Sequence, residues 1–211
     1  MQTPRRSFLG RMAALLAIGS APATLAAASG PVAADGAFWP DERWLEMIAS
    51  REHRMIIESG VISDALAFRR GTNFLDVLNQ DFNIPDGRAG LAIGTHTAAL
   101  AMILNDAMWA KHAFGAKFSV KDAQGNALTA NPYKSGPPYS VDALGKRGVQ
   151  FLACNRSLIR LSRELAGTGG DATAIHKELV ENVLPGVIVV PAMVVALSRA
   201  QSKGVPYMAI V

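Results

Sequence analysis

The sequence is poor in the residues that build the commoner stapled or metal-bearing sites. Cysteine occurs once in 211 residues, which excludes an internal disulfide framework and any multi-cysteine metal centre. Charged residues make up 18% and hydrophobic residues 50%, a balance that excludes a disordered chain. The length suits one well-cored domain and is too short for two ordinary ones. No segment after the first thirty residues reaches the ~20 strongly apolar residues of a spanning helix. The greasiest, Leu184 to Leu197, is interrupted by Pro185 and Pro191. There is no Gly-x-Ser-x-Gly elbow, no Walker loop and no Gly-x-Gly-x-x-Gly after a strand. Gly167-Thr-Gly-Gly170 closes a helix instead of opening one. Classical hydrolase, nucleotide and dinucleotide readings lose ground accordingly. His53, His112 and His176 lie on helix or strand flanks, read as solvent-facing, and match no standard metal spacing. The eight methionines form no cluster with histidines, so copper has no site either. Neither a metal nor a cofactor is expected.

What is present begins with a targeting segment. Arg5-Arg6-Ser-Phe-Leu9 resembles the twin-arginine export signal of bacteria. A moderately apolar stretch, Met12 to Leu25, follows and ends in Ala26-Ala27-Ala28, a pattern signal peptidase accepts. The expectation is a cleaved leader over 1–28, passage through the twin-arginine machinery and a soluble periplasmic product. The formal net charge of +4 comes from 21 basic and 17 acidic residues. Removing Arg5, Arg6 and Arg11 with the leader leaves 18 basic residues and a net of +1. No basic stripe with interleaved aromatics remains, so nucleic acid is not an expected partner.

Residues 29–50 read as a linker and one short helix, Glu42 to Ala49, after Pro40. A domain over 51–211 follows. Apolar runs of about five residues recur at Arg54–Glu58, Ala89–Ile93, Val149–Ala153, Gly186–Val190 and Tyr207–Ile210. Helical patterns separate them: Asp64 to about Phe82, Thr97 to about Phe114, Asn155 to Ala166, Asp171 to about Val183, and Pro191 to Lys203. Strands apolar almost throughout and alternating with helices predict a parallel sheet covered on both faces. Residues 115–140 break the rhythm with a small hairpin, Phe118–Val120 against Ala127–Thr129, and proline-rich loops. An insertion of this kind is either a lid or contact loop or a surface decoration.

In parallel sheets, reactive groups gather at the carboxyl ends of the strands. Cys154 falls at such an end, where a helix follows directly. There the unpaired N–H groups of that helix lower a thiol's pKa, and Arg156 and Arg160 add positive potential. A lone cysteine is also a common buried hydrophobe. His96, after Gly94-Thr95, is a general acid/base, a proton donor to Cys154, a ligand, or a tie for loop carbonyls. Asn155, Arg156, Thr95 and Ser59 share this edge and are the candidate substrate-binding residues. Asp106 is either a buried polar group or an exposed helix edge.

Short strand, long helix, a second strand with a Gly-ended turn, then a strand running into Cys154-Asn155 and a helix resembles the DsrE/DsrF group of sulfur-relay proteins. Leu184-Pro-Gly-Val187, Ala196-Leu197, Arg199-Ala-Gln201, Gly204 and Tyr207 are similar to the end of such domains. The resemblance implies a three-layer α/β/α sandwich with a five-stranded, largely parallel sheet, and assembly into oligomers. It also implies that Cys154 accepts sulfane sulfur as a persulfide and passes it on. The expected partners are a further copy of the chain and a small inorganic sulfur species, thiosulfate or polysulfide, or a sulfur-donor protein. The alternative is a periplasmic ligand-binding or assembly module that keeps the fold without turnover.

Overall fold

The computed structural model describes residues 42–211; the expected leader over 1–28 and the linker up to Pro40 lie outside them. In chain order the elements are α1 (Arg43–Ala49), β1 (His53–Ser59), α2 (Leu66–Gln80), β2 (Ala89–Thr95), α3 (Asp106–Lys111), α4 (Phe114–Lys117), α5 (Val141–Lys146), β3 (Gln150–Cys154), α6 (Asn155–Ala166), α7 (Ala172–Glu181), β4 (Val187–Val190), α8 (Met193–Ser202) and β5 (Tyr207–Ile210). The five strands form one sheet in the order β4-β3-β2-β1-β5. Every neighbouring pair is parallel. The chain is thus a three-layer α/β/α sandwich.

Crossover handedness explains the layers. Parallel crossovers are right-handed. Three successive steps in one direction, β1 to β4, therefore stack their connections on one face. The single return from β4 to β5 places α8 on the other face, beside α1. Alternation along each strand divides the core in two. Ile57, Leu91, Ile93, Phe151 and Ala153 pack under α2 and α6. Ile56, Ala92, Leu152, Cys154 and Val190 pack under α1 and α8.

The expected helix from Thr97 to Phe114 is not one helix. Thr97–Ile103 is a run of the tighter 3₁₀ type, Leu104 is extended, and α3 begins only after Asn105. Asn105 accepts the Met108 N–H at 3.1 Å and so caps α3. Runs of 3₁₀ longer than a turn have poor hydrogen-bond geometry, and here side chains from elsewhere hold the carbonyls. Asn131 Nδ2 donates to Met102 O at 2.9 Å and Leu104 O at 2.7 Å, and Trp109 Nε1 donates to Ala101 O at 2.7 Å. Asn131 comes from the insertion, as does Tyr133, which packs against Trp109 in the core. The insertion is therefore bolted into the α2 side of the domain. Its expected hairpin is a single antiparallel bridge, Lys121 to Ala127, around a turn held by the Asp122 carboxylate. Ser140 starts α5, an element absent from the sequence reading, by accepting the Ala143 N–H at 3.2 Å.

Asp106 is partly exposed and paired with Lys134, which, with the Asn131 N–H, holds its carboxyl below the usual range. Arg147 grips Asp86 through two donors and Asp76 through a third, tying α2 and α5 to the turn before β2.

His112, expected at the surface, is largely covered: its side chain is 10% exposed and stacks on Phe114. Its Nε2 makes no hydrogen bond, and Glu178 Oε2 stands 3.9 Å away. Burial lowers its pKa below the ordinary 6.5; Glu178 opposes the shift and Lys111 reinforces it. The native state therefore binds fewer protons than the unfolded chain just below pH 6.5, so His112 makes stability fall as the pH drops through that value. Above it, His112 contributes no pH dependence. Urea midpoints measured from pH 7.5 to 5 are expected to fall more steeply in the wild type than in His112→Phe. Identical slopes would remove His112 as a cause.

Candidate functional site

Five strand ends converge at the carboxyl edge, and alternation decides which side chains emerge on which face. Ser59 and Thr95 emerge on the α2 side and are fully buried. Each hydroxyl is committed to a carbonyl: Ser59 Oγ to Val61 O at 2.6 Å, Thr95 Oγ1 to Leu152 O at 3.1 Å. They latch strand ends and offer no free donor to a ligand. Asn155 begins α6, and its Oδ1 accepts from His176 Nε2 at 2.7 Å, joining α6 to α7. His176 is thus a positioned partner of Asn155 and not a free surface imidazole.

Cys154 is the last residue of β3 and the N-cap of α6, with an extended backbone. Extended geometry and alternation turn its Sγ to the α8 face, away from α6, whose Leu158 and Leu161 pack on the opposite side of the sheet. The expected contact between the thiol and the N–H groups of α6 is not made. The sulfur instead accepts the backbone N–H of Met193, the first residue of α8, at 3.3 Å. A helix start still meets the sulfur, but it is that of α8, through the single N–H of Met193. Arg156 and Arg160 are exposed on α6 and do not share the thiol's face. Cys154 itself is 5% exposed.

Met193 belongs to the same buried cluster as Cys154. Its thioether crosses β2 at Gly94, where a Cβ would collide with Sδ and Cε. β2 lies between β1 and β3, so this side chain stands between Cys154 on β3 and the groups that β1 contributes. Those groups are Glu58 and, leaning toward β1, His96. Glu58 Oε2 is 3.5 Å from His96 Nε2, with the two side chains 20% and 29% exposed. His96 Nδ1 lies 3.1 Å from Thr97 Oγ1. Gly60 makes room for the imidazole, since a Cβ there would stand 2.7 Å from His96 Cε1. No hydrogen bond joins His96 to Cys154.

Sequence reasoning passed over Glu58, Thr97 and Met193 as site residues. Glu58 carried one legible signal, a carboxylate inside an otherwise apolar parallel strand, Met55-Ile-Ile-Glu58-Ser59. Backbone strain marks the same place. Thr97, β-branched, has φ +47°, and Ser63, Asp64 and Ala65 form a left-handed turn with φ 39°, 51° and 56°. Such residues cost of order 1–3 kcal/mol each and cluster at functional sites.

The described grooves lie elsewhere. One of about 510 Å³ and one of about 310 Å³ are at the amino ends of β2, β3 and β4, and one of about 320 Å³ lies between α2 and β5. Among the described residues, no group of three or more His, Cys, Asp or Glu is placed to hold a metal, and no helix is long and apolar enough to cross a membrane.

The fold defines a doubly covered parallel α/β domain. No protein-family model matches the chain, and no curated protein does. Among solved structures it is similar to the protein of unknown function MTH1491 from Methanobacterium thermoautotrophicum, with 16% identity, a TM-score of 0.43, and 75% of this chain and 100% of that chain covered. That likeness carries no functional argument.

Proposed function

We propose that this chain is an exported sulfur carrier that takes sulfane sulfur as a persulfide on Cys154. The observation that carries the reading is the Met193 N–H donated to Sγ at the carboxyl edge of the sheet. That N–H, at the start of a helix, sets a hydrogen-bond donor where negative charge on the sulfur would sit during transfer. With thiosulfate, the thiolate attacks the outer sulfur, a Cys154 S–S bond forms, the donor S–S bond breaks, and sulfite leaves with its electron pair. With polysulfide, the leaving group is the shortened polysulfide. The reading includes export by the twin-arginine route and action as a homo-oligomer.

Intact-mass spectrometry after incubation with polysulfide or thiosulfate tests it. A gain of one sulfur atom is expected in the wild type and none in Cys154→Ser. A wild type that gains no sulfur sinks the carrier. The burial of Cys154 in the core favours a second reading, a binding or assembly module without turnover. That module requires Cys154→Ser to keep whatever phenotype the wild-type gene supports.

A further inference from the structure

We propose that α2 and the groove beside it form a self-complementary docking surface whose occupant is a second copy of this chain, with the two α2 helices antiparallel across a two-fold axis. This names the face for the homo-oligomer in the reading above and rests on that part of it alone; no sulfur chemistry enters.

The groove, of about 320 Å³, lies between α2 and the edge strand β5 and is lined by Met55, Ile57, Phe74, Val77 and Met208, with Arg70 at the same helix face. Among the described residues, five of the eight exposed large hydrophobic side chains lie on α2, just past it, or on β5 and the residue after it: Val77, Phe82, Tyr207, Met208 and Val211. Scattered single side chains of this kind are ordinary, but a concentration of them marks an interaction site. β5 pairs with β1 at the end of the sheet, so its other edge is open. Natural edges are normally blunted by charge, and Tyr207–Ile210 carries none.

The order of residues along α2 selects a second copy as the occupant. Arg70, Phe74, Val77 and Asp81 follow one another at intervals of four, three and four, so they share one face of the helix. Another face, with Phe68, Gly71 and Leu75, is buried in the core. Arg70 and Asp81 are both exposed, and neither has an ion-pair partner among the described residues. Other charges of α2 are matched within the chain, Arg69 by Asp64 and Asp76 by Arg147. Asp81 is the C-cap of α2, where an acid opposes the helix macrodipole; it does not serve the helix, whereas a cation from outside would be met by it. The stripe runs from positive through two apolar residues to negative. A two-fold axis midway between Phe74 and Val77 reverses that order on the second copy. Phe74 then meets the partner's Val77 and Arg70 meets the partner's Asp81, each pair twice, with the charges about 8 Å along the helix from the axis. Charge in that position sets register and partner choice, and an isologous contact closes at two copies. A foreign helix has no reason to bring these charges in reversed order; a copy of α2 brings them by symmetry.

Sedimentation equilibrium of the full chain tests the face by charge reversal. The wild type is expected to be a dimer that dissociates in the micromolar range, as suits an interface under about 1,200 Å² in total. Arg70→Glu alone and Asp81→Arg alone each set like charges together twice, and each is expected to weaken the dimer about tenfold or more. Mixed in equal amounts, the two variants are expected to pair with one another at near wild-type strength, because both contacts of that heterodimer are again opposite in sign. Val77→Glu, which sets two like charges beside the axis, is expected to leave a monomer. All three positions are exposed, and circular dichroism checks that each variant is folded. Single variants that weaken the dimer without recovery on mixing overturn the antiparallel pairing. An oligomer that none of the substitutions weakens overturns the surface and leaves the homo-oligomer in place. A wild type that stays monomeric overturns the surface and the homo-oligomer together, while sulfur gain on Cys154 still reports on the carrier.

Discussion

Replacing Met193 with alanine is expected to raise the alkylation rate of Cys154 about tenfold or more, the ratio that a local opening cheaper by about 1.4 kcal/mol produces. The thiol is 5% exposed, and Met193, which shares its buried cluster, sends a flexible thioether across Gly94. Truncation opens the space between β3 and β1. It leaves the hydrogen bond to Sγ in place, because that donor is the Met193 backbone. The substitution therefore changes access without removing the helix-start hydrogen bond to the sulfur. Deleting a buried methionine side chain costs about 2–5 kcal/mol, so the comparison belongs well below the melting transition, with circular dichroism as the control. An unchanged rate would mean that Met193 does not cover the thiol. A rise that merely tracks global unfolding would mean the same.

The second large effect is on stability. Asn131→Ala is expected to destabilise the domain by about 3 kcal/mol or more. Asn131 is 3% exposed and satisfies three buried backbone groups: it donates to Met102 O and Leu104 O, and its Oδ1 accepts the Tyr133 N–H at 2.8 Å. Each group stranded by truncation costs about 1–3 kcal/mol, partly relieved if water enters. For a domain of this size, each kcal/mol moves the melting temperature by about 2–4 °C, so a drop of roughly 6–12 °C is expected by thermal denaturation. A drop of a degree or less would show that the 3₁₀ run keeps its carbonyls paired without the insertion. The insertion would then be the surface decoration that its composition also allowed.

These two effects mark the boundary of what local pattern conveys. The strands were legible because each is a short, nearly continuous apolar run between helices, and that pattern already implies a parallel sheet with both faces covered. The carboxyl edge was legible for the same reason, and with it the places of Cys154, His96, Ser59, Thr95, Asn155 and Arg156 along the chain. Direction was not legible. One residue of alternation decides whether a side chain at a strand end enters the core on the α2 side, as Ser59 and Thr95 do, or the α8 side, as Cys154 does. The pattern after Thr97 predicts a single α-helix because 3₁₀ and α periodicities are nearly the same over the seven residues of Thr97–Ile103. The carbonyls that choose between them are held by Asn131, about thirty positions away in sequence.

The single cysteine shows the division most clearly. The sequence by itself determined that there is one thiol, that it ends a strand and that a helix begins beside it. Only the tertiary structure decided which helix start the sulfur meets. Met193, separated from Cys154 by 39 positions, donates to it, because the return crossover brings α8 over the face to which β3 turns its last side chain. The pairing of Glu58 with His96 has the same origin. It joins two strands whose register is made by the sheet, across a glycine that leaves space for the ring.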